Sequence, residues 1–136
     1  MQTFLPYKDF YKSAESLDYR RLGKQRVETY QILRSLTGLS KGWVNHPCTK
    51  MWKGYESTLR KYGIAICETW IKLGYKDSLL EKISNINVPE TDEPPWLDDP
   101  ELHRSHKSNL LRKDKEFYGK LWPDVPDDLP YVWPVS

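Results

Sequence analysis

Apolar positions recur at helical spacing through two long stretches of this chain, and no stretch alternates in the manner of a strand. The first covers residues 17–36, LDYRRLGKQRVETYQILRSL. Leu22, Thr29 and Leu33, with Tyr30 and Leu36 beside them, form its apolar side. Arg21, Lys24, Gln25 and Glu28 fall at i, i+3, i+4 and i+7, so they share one narrow polar stripe. That stripe holds two cations, an amide and a carboxylate within about two turns. Ser13 or Ser16 is the expected N-cap, and Gly38 the stop after Thr37. Gly23 inside the helix costs about 1 kcal/mol relative to Ala, and marks either a kink or a close approach by another segment. The second stretch, residues 48–73, steps by three or four through Trp52, Tyr55, Leu59, Tyr62, Ile66, Trp70 and Leu73.

The remaining chain reads as shorter pieces. Residues 1–13 form an extended or irregular lead-in with Pro6 and four aromatics. Residues 76–84 suit a short helix, and residues 100–113 a last one with Pro100 in its first turn. Between them, Pro89, Pro94, Pro95 and Pro100 keep an acidic linker from being helical. The tail WPDVPDDLPYVWPVS has four prolines, and its aromatics are expected to strap back onto the helices. The fold class is therefore all-α: one compact domain, residues 1–136, of three main helices with long Pro-rich loops and an irregular aromatic C-terminal tail.

Charge alters this picture through its distribution, because the net value is only +2. Residues 1–84 hold fifteen Lys and Arg against eight Asp and Glu, and residues 101–120 hold six against three. Residues 85–100 hold five acids and no base. Two basic blocks thus flank an acidic loop, and they form a polyanion-binding face if the fold joins them. Two cysteines, Cys48 and Cys67, make neither a disulfide framework nor a metal-ligand spacing. No stretch is apolar enough to span a membrane and no signal-peptide core is present, so a cytoplasmic protein is the expectation.

Beyond the helix stripe, two polar clusters could carry chemistry. Asn45-His46-Pro47 puts an amide and an imidazole at a helix start, either to meet phosphate or simply to cap the helix. The run HRSHKSNLLRKD, residues 103–114, is dense in groups that commonly hold backbone phosphates: Arg104, His106, Lys107, Asn109 and Arg112. His103 and His106 lack a third ligand for a metal. Dinucleotide, Walker, zincin and nucleophile-elbow motifs are absent, and no cofactor is called for.

The chain resembles the pyrimidine-dimer DNA glycosylase family typified by the phage endonuclease V. The resemblance rests on Tyr19-Arg20 with Leu22 and Arg26-Val27, and on L-G-K-Q-R-V-E within the same helix. It extends to Asn45-His46-Pro47 followed by MWKGYESTLRKYGIAICETWIKLGY, to H-x-x-H-x-S-N-L-x-R-K-D-x-x-F-Y at 103–118, and to the ending P-D-V-P-D-D-L-P-Y-V-W-P. It implies a compact helical enzyme that binds damaged duplex DNA, displaces a base, cuts the glycosidic bond and nicks the abasic site through an imine.

Two departures redirect the catalytic assignment. The family's amine belongs to a small second residue, whereas this chain has Gln2; its catalytic Glu would follow Arg20, whereas this chain has Arg21. The carboxylate role then falls to Glu28, and the amine to Lys24 or to the N-terminus. Equally, Gln25 would only orient a water or a base, which makes a glycosylase without lyase activity; Arg21 completes the catalytic set. Arg20, Arg26, Arg104, Lys107 and Arg112 would hold phosphates, while Asn45, His46, His106 and Asn109 orient the displaced nucleotide. Pro6, Tyr7 and Trp43 are candidate wedge or stacking residues. The expected partner is double-stranded DNA with a damaged or modified base, bound by a monomer without cofactor or metal. Two alternatives stay open: a DNA-binding module without catalysis, and a helical interaction protein with no nucleic-acid partner.

Overall fold

The computed structural model describes residues 1–135, which form seven α-helices and one 3-10 turn, with no strand among them. They are α1 (Phe10–Ser16), α2 (Tyr19–Leu36), α3 (Pro47–Trp52), α4 (Glu56–Lys72), α5 (Leu79–Asn85), α6 (Pro100–Lys113) and α7 (Lys115–Tyr118). The 3-10 turn, Pro95–Asp98, precedes α6. The class is all-α as expected; the last long helix stands whole as α6, while the first two are each divided.

Each break has a local cause. The first helix does not start at Ser13 or Ser16, because both hydroxyls bond backward, to Tyr7 O and Ser13 O. Asp9 caps α1 instead, accepting from Lys12 N at 2.9 Å, and Asp18 caps α2, accepting from Arg21 N at 3.3 Å. The second helix is interrupted at Gly54, whose φ of +89° no right-handed helix can pass through. The acidic linker is not wholly irregular, since Pro95 opens the 3-10 turn.

α2 packs chiefly on α4, and two glycines allow the approach. A Cβ on Gly23 would stand 2.9 Å from Trp70 Cη2, and one on Gly63 would stand 2.9 Å from Thr29 Cγ2. Gly23 thus marks a close approach by another segment. Leu22, Ile32, Leu33, Leu59, Tyr62 and Ile66 fill the core between the two helices.

The lead-in is the innermost part of the chain. Residues 2–6 are all buried, yet they belong to no sheet that could satisfy their peptide groups. Side chains from three helices do so. Gln25 Oε1 accepts from Phe4 N at 2.9 Å, and Gln25 Nε2 donates to Gln2 O at 2.7 Å. Tyr62 donates its hydroxyl to Phe4 O at 2.7 Å. His106 Nδ1 accepts from Leu5 N at 2.8 Å, and His103 Nδ1 lies 2.7 Å from Leu5 O.

The C-terminal tail straps back over α6. Ser108 accepts from Leu129 N at 2.9 Å and Ser105 accepts from Val132 N at 3.2 Å. Trp122 is buried, and Tyr131, Val132 and Trp133 pack against the core. No helix of the described residues is long and apolar enough to cross a membrane.

Candidate active site

The polar stripe of α2 lies on the wall of a cavity of about 840 Å³. Arg21, Lys24, Gln25 and Glu28 all line it, with Asp18, Tyr19 and Arg20 at its α2 end. Met1, Gln2 and Phe4 come from the lead-in, Lys113, Asp114 and Phe117 from the end of α6 and from α7, and Tyr131 from the tail. The two basic blocks therefore meet here, Arg20, Arg21 and Lys24 from one and Lys113 from the other.

Glu28 is the central carboxylate and is only 8% exposed. Its Oε2 accepts from Gln2 N at 3.1 Å and from Gln25 Nε2 at 3.3 Å. Its Oε1 is 3.7 Å from Lys24 Nζ, whose side chain is 74% exposed. The hydrogen bond from Gln2 fixes the neighbouring residue, Met1, in the same cavity. Glu28, Lys24 and Met1 thus line one cavity.

Asp18 sits at the N-terminus of α2 with its carboxylate held from two sides. Burial pushes its pKa up, but hydrogen bonds from the Tyr118 hydroxyl and from Arg21 outweigh this and carry it below the ordinary value. The ionised carboxylate holds Arg21 Nη1 at 3.2 Å, which leaves the guanidinium on the cavity rim. Cys48 lies beneath the lead-in, and burial pushes its thiol up to about 12, so it stays protonated and is no nucleophile.

His46 N-caps α3, accepting from Cys48 N at 3.0 Å. Burial and then the charged N-terminus lower its pKa, while Glu28 opposes that shift. The imidazole therefore stands within the electrostatic reach of the two cavity groups. Asn45 beside it is exposed.

Several assignments made from sequence need correction. Gln25 is not free to orient a water: it is 1% exposed, and its amide is spent on Gln2, Phe4, Tyr62 and Glu28. Arg26 turns away from the cavity, pairs with the buried Asp77 and lies 4.5 Å over the Trp70 ring. His106 is fully buried among Phe4, Tyr131 and Leu5, and cannot reach a nucleotide. Asn109 is buried as well, bonding Ser105 O and Leu129 O. Arg112 is exposed but committed to the tail, donating to Asp127 O at 2.8 Å and Leu129 O at 3.0 Å. Arg104 is exposed and lies outside the cavity lining. Lys107 lies 4.6 Å over the Tyr7 ring, itself against Trp122, which makes Tyr7 a packing residue; Pro6 is buried.

Met1, whose amine was the alternative to Lys24, does line the cavity, whereas Asp18, Lys113 and Tyr131 were missed. Only Asp18 carried a usable signal, as an acid two residues before a basic helical turn.

An all-helical protein whose cavity sets Glu28 among four cations, Arg20, Arg21, Lys24 and Lys113, presents a surface of the kind that suits phosphate-bearing polymers. The model of the pyrimidine dimer DNA glycosylase family matches residues 1–82, and the chain belongs to that family. No curated protein and no solved structure matches it significantly.

Proposed function

We propose that this protein excises damaged or modified pyrimidines from duplex DNA and then cleaves the resulting abasic site through an imine. The observation that carries the proposal is the bond from Gln2 N to Glu28, which holds Met1 beside that carboxylate at the cation-rimmed cavity. The family membership supports the glycosylase half of this reading.

In this reading the Met1 amine attacks C1′ of the damaged nucleoside. The C1′–N1 bond breaks, the base leaves with the electron pair and takes up a proton, and the sugar ring opens to an imine. Glu28 stabilises the positive charge that develops at C1′. A base then removes a proton from C2′, the C3′–O bond breaks, and the phosphate departs. Water hydrolyses the imine and returns the amine. Lys24 is the second amine able to take the nucleophile role, and Arg20, Arg21 and Lys113 hold phosphates on the rim.

Borohydride reduction of the protein on a duplex with one abasic site tests this. A covalent adduct is expected, lost when a peptide extension blocks Met1, retained in Lys24→Ala and reduced about 100-fold or more in Glu28→Gln. Loss in Lys24→Ala alone moves the nucleophile to that side chain. If no adduct forms although DNA binds, the lyase step is wrong. If in addition no base is released from irradiated DNA, the chain is a binding module on a glycosylase scaffold.

A further inference from the structure

Among the described residues, several buried side-chain polar atoms have no hydrogen-bond partner, and only Gln2 Nε2 belongs to the cavity lining. Gln2 is 5% exposed, and its other polar atoms are all committed. Its N–H donates to Glu28 Oε2 at 3.1 Å, and its carbonyl accepts from Gln25 Nε2 at 2.7 Å. Its Oε1 accepts from Thr3 N at 2.9 Å and from Cys48 Sγ at 3.8 Å. Thr3 N can only donate, so the amide cannot turn over: its oxygen must face Thr3 and its nitrogen the other way. A buried amide nitrogen without a partner is costly, and native proteins keep few of them. Tyr131, also in the lining, is close enough to feel this nitrogen. Burial pushes the phenol's pKa up, and the Gln2 amide opposes that push. Two donors, an amide N–H and a phenol O–H, thus adjoin at the cavity wall.

Their place in the cavity says what they would meet. Gln2 follows Met1, and its own N–H holds Glu28, so its side chain stands at the reacting end. The oxygen of a pyrimidine nearest C1′ is O2, reached through N1 and C2. When the C1′–N1 bond breaks, the electron pair left on N1 spreads onto O2. Donors already fixed toward a developing charge, in a site closed to water, stabilise it most.

We infer that the Gln2 side-chain amide, with the Tyr131 hydroxyl beside it, donates to O2 of the displaced pyrimidine and holds the negative charge of the leaving base. This rests on the glycosylase reading above. As the amine nitrogen bonds to C1′, the C1′–N1 pair passes to the base. The base then takes up the proton that the amine nitrogen sheds, and nothing is oxidised or reduced. Gln2 keeps its own protons throughout. Once the base has gone the amide has no further part, so it serves excision and not the lyase step.

That division supplies the test. Gln2→Met keeps the length of the side chain and removes the donor, with intact mass confirming that Met1 is retained. Tyr131→Phe removes one hydroxyl and leaves the lead-in untouched. Two reactions are compared under single turnover: glycosidic cleavage at a cyclobutane thymine dimer in duplex DNA, read after alkali, and borohydride trapping on a duplex with a preformed abasic site. Excision should fall about 100-fold in Gln2→Met and about tenfold in Tyr131→Phe, with trapping within about threefold of wild type in both. Unchanged excision in both variants overturns the inference. If Gln2→Met loses both reactions, Tyr131→Phe decides: a loss confined to excision sustains the donor pair, and no such loss makes Gln2 merely a seat for the lead-in. A wild type that traps the abasic site but leaves the dimer intact overturns pyrimidine excision and the inference with it. A wild type that does neither overturns the glycosylase–lyase reading itself.

Discussion

His106 anchors Leu5 of the buried lead-in, and its environment predicts a specific acid sensitivity. Burial first, and the nearby His103 second, lower its pKa from 6.5 to about 3. The neutral ring accepts from Leu5 N through Nδ1, while Nε2 has no partner among the described residues. Protonation would destroy the bond to Leu5 and place an unpaired charge in the core. The unfolded chain takes up the proton near the ordinary value, so below that pH the unfolded state binds more protons than the folded one. The contribution is fully present above pH 6.5 and is lost as pH falls toward 3. Between pH 7 and 5 the loss comes to about 2 kcal/mol, from about 1.4 kcal/mol per pH unit below the unfolded value. His106→Asn keeps an acceptor for Leu5 and removes the titration. Urea unfolding at pH 7 and 5 should show the wild-type midpoint falling about 1 M further than that of the variant. His46 and His103 are present in both proteins, so the difference isolates His106. Parallel pH dependences for the two proteins, or an imidazole resonance of His106 that titrates near 6.5, would refute the argument.

Other perturbations follow from the same contacts. Gln25→Leu removes the amide that serves Phe4 N and Gln2 O; two orphaned peptide groups should cost about 2–6 kcal/mol, read by urea unfolding, and adduct formation should fall as Met1 loses its position. Asp77→Ala leaves Arg26 unpaired over Trp70 and strips the hydrogen bonds to Leu79 N and Leu80 N, for an expected loss of about 3–5 kcal/mol. The double variant Asp77→Ala with Arg26→Leu should recover part of that loss in the same unfolding assay, because neither charge then remains.

The central helix was readable because its chemistry obeys its period. Arg21, Lys24, Gln25 and Glu28 share a face at 3.6 residues per turn whatever surrounds them, and that face is a wall of the cavity. The same rule applied to α6 would have warned against its phosphate assignment. Leu102, His106 and Asn109 stand at i, i+4 and i+7, so His106 and Asn109 occupy an inward stripe behind a leucine, and all three are buried. Donor density outweighed the period there. The break at Gly54 was hidden for another reason: the helices on either side keep apolar spacing, and only the backbone records the interruption. The lead-in carried no signal at all. Its partners are side chains on distant helices, and local patterns do not encode those pairings.

That lead-in imposes an order of events on the protein's birth. Phe4 finds its first partner 21 residues later in Gln25, and then Tyr62 at 58. Leu5 waits for His106, 101 residues downstream. At ordinary rates of synthesis that is an interval on the order of 5–20 s, during which the Leu5 peptide group lacks its α6 partner. Closing contacts across such a span is entropically slow, and no shorter loop substitutes for it. A nascent chain that lacks α6 therefore has the α2 contacts to Gln2 and Phe4 but nothing to seat the Leu5 peptide. The lead-in is fully seated only after α6 has left the ribosome.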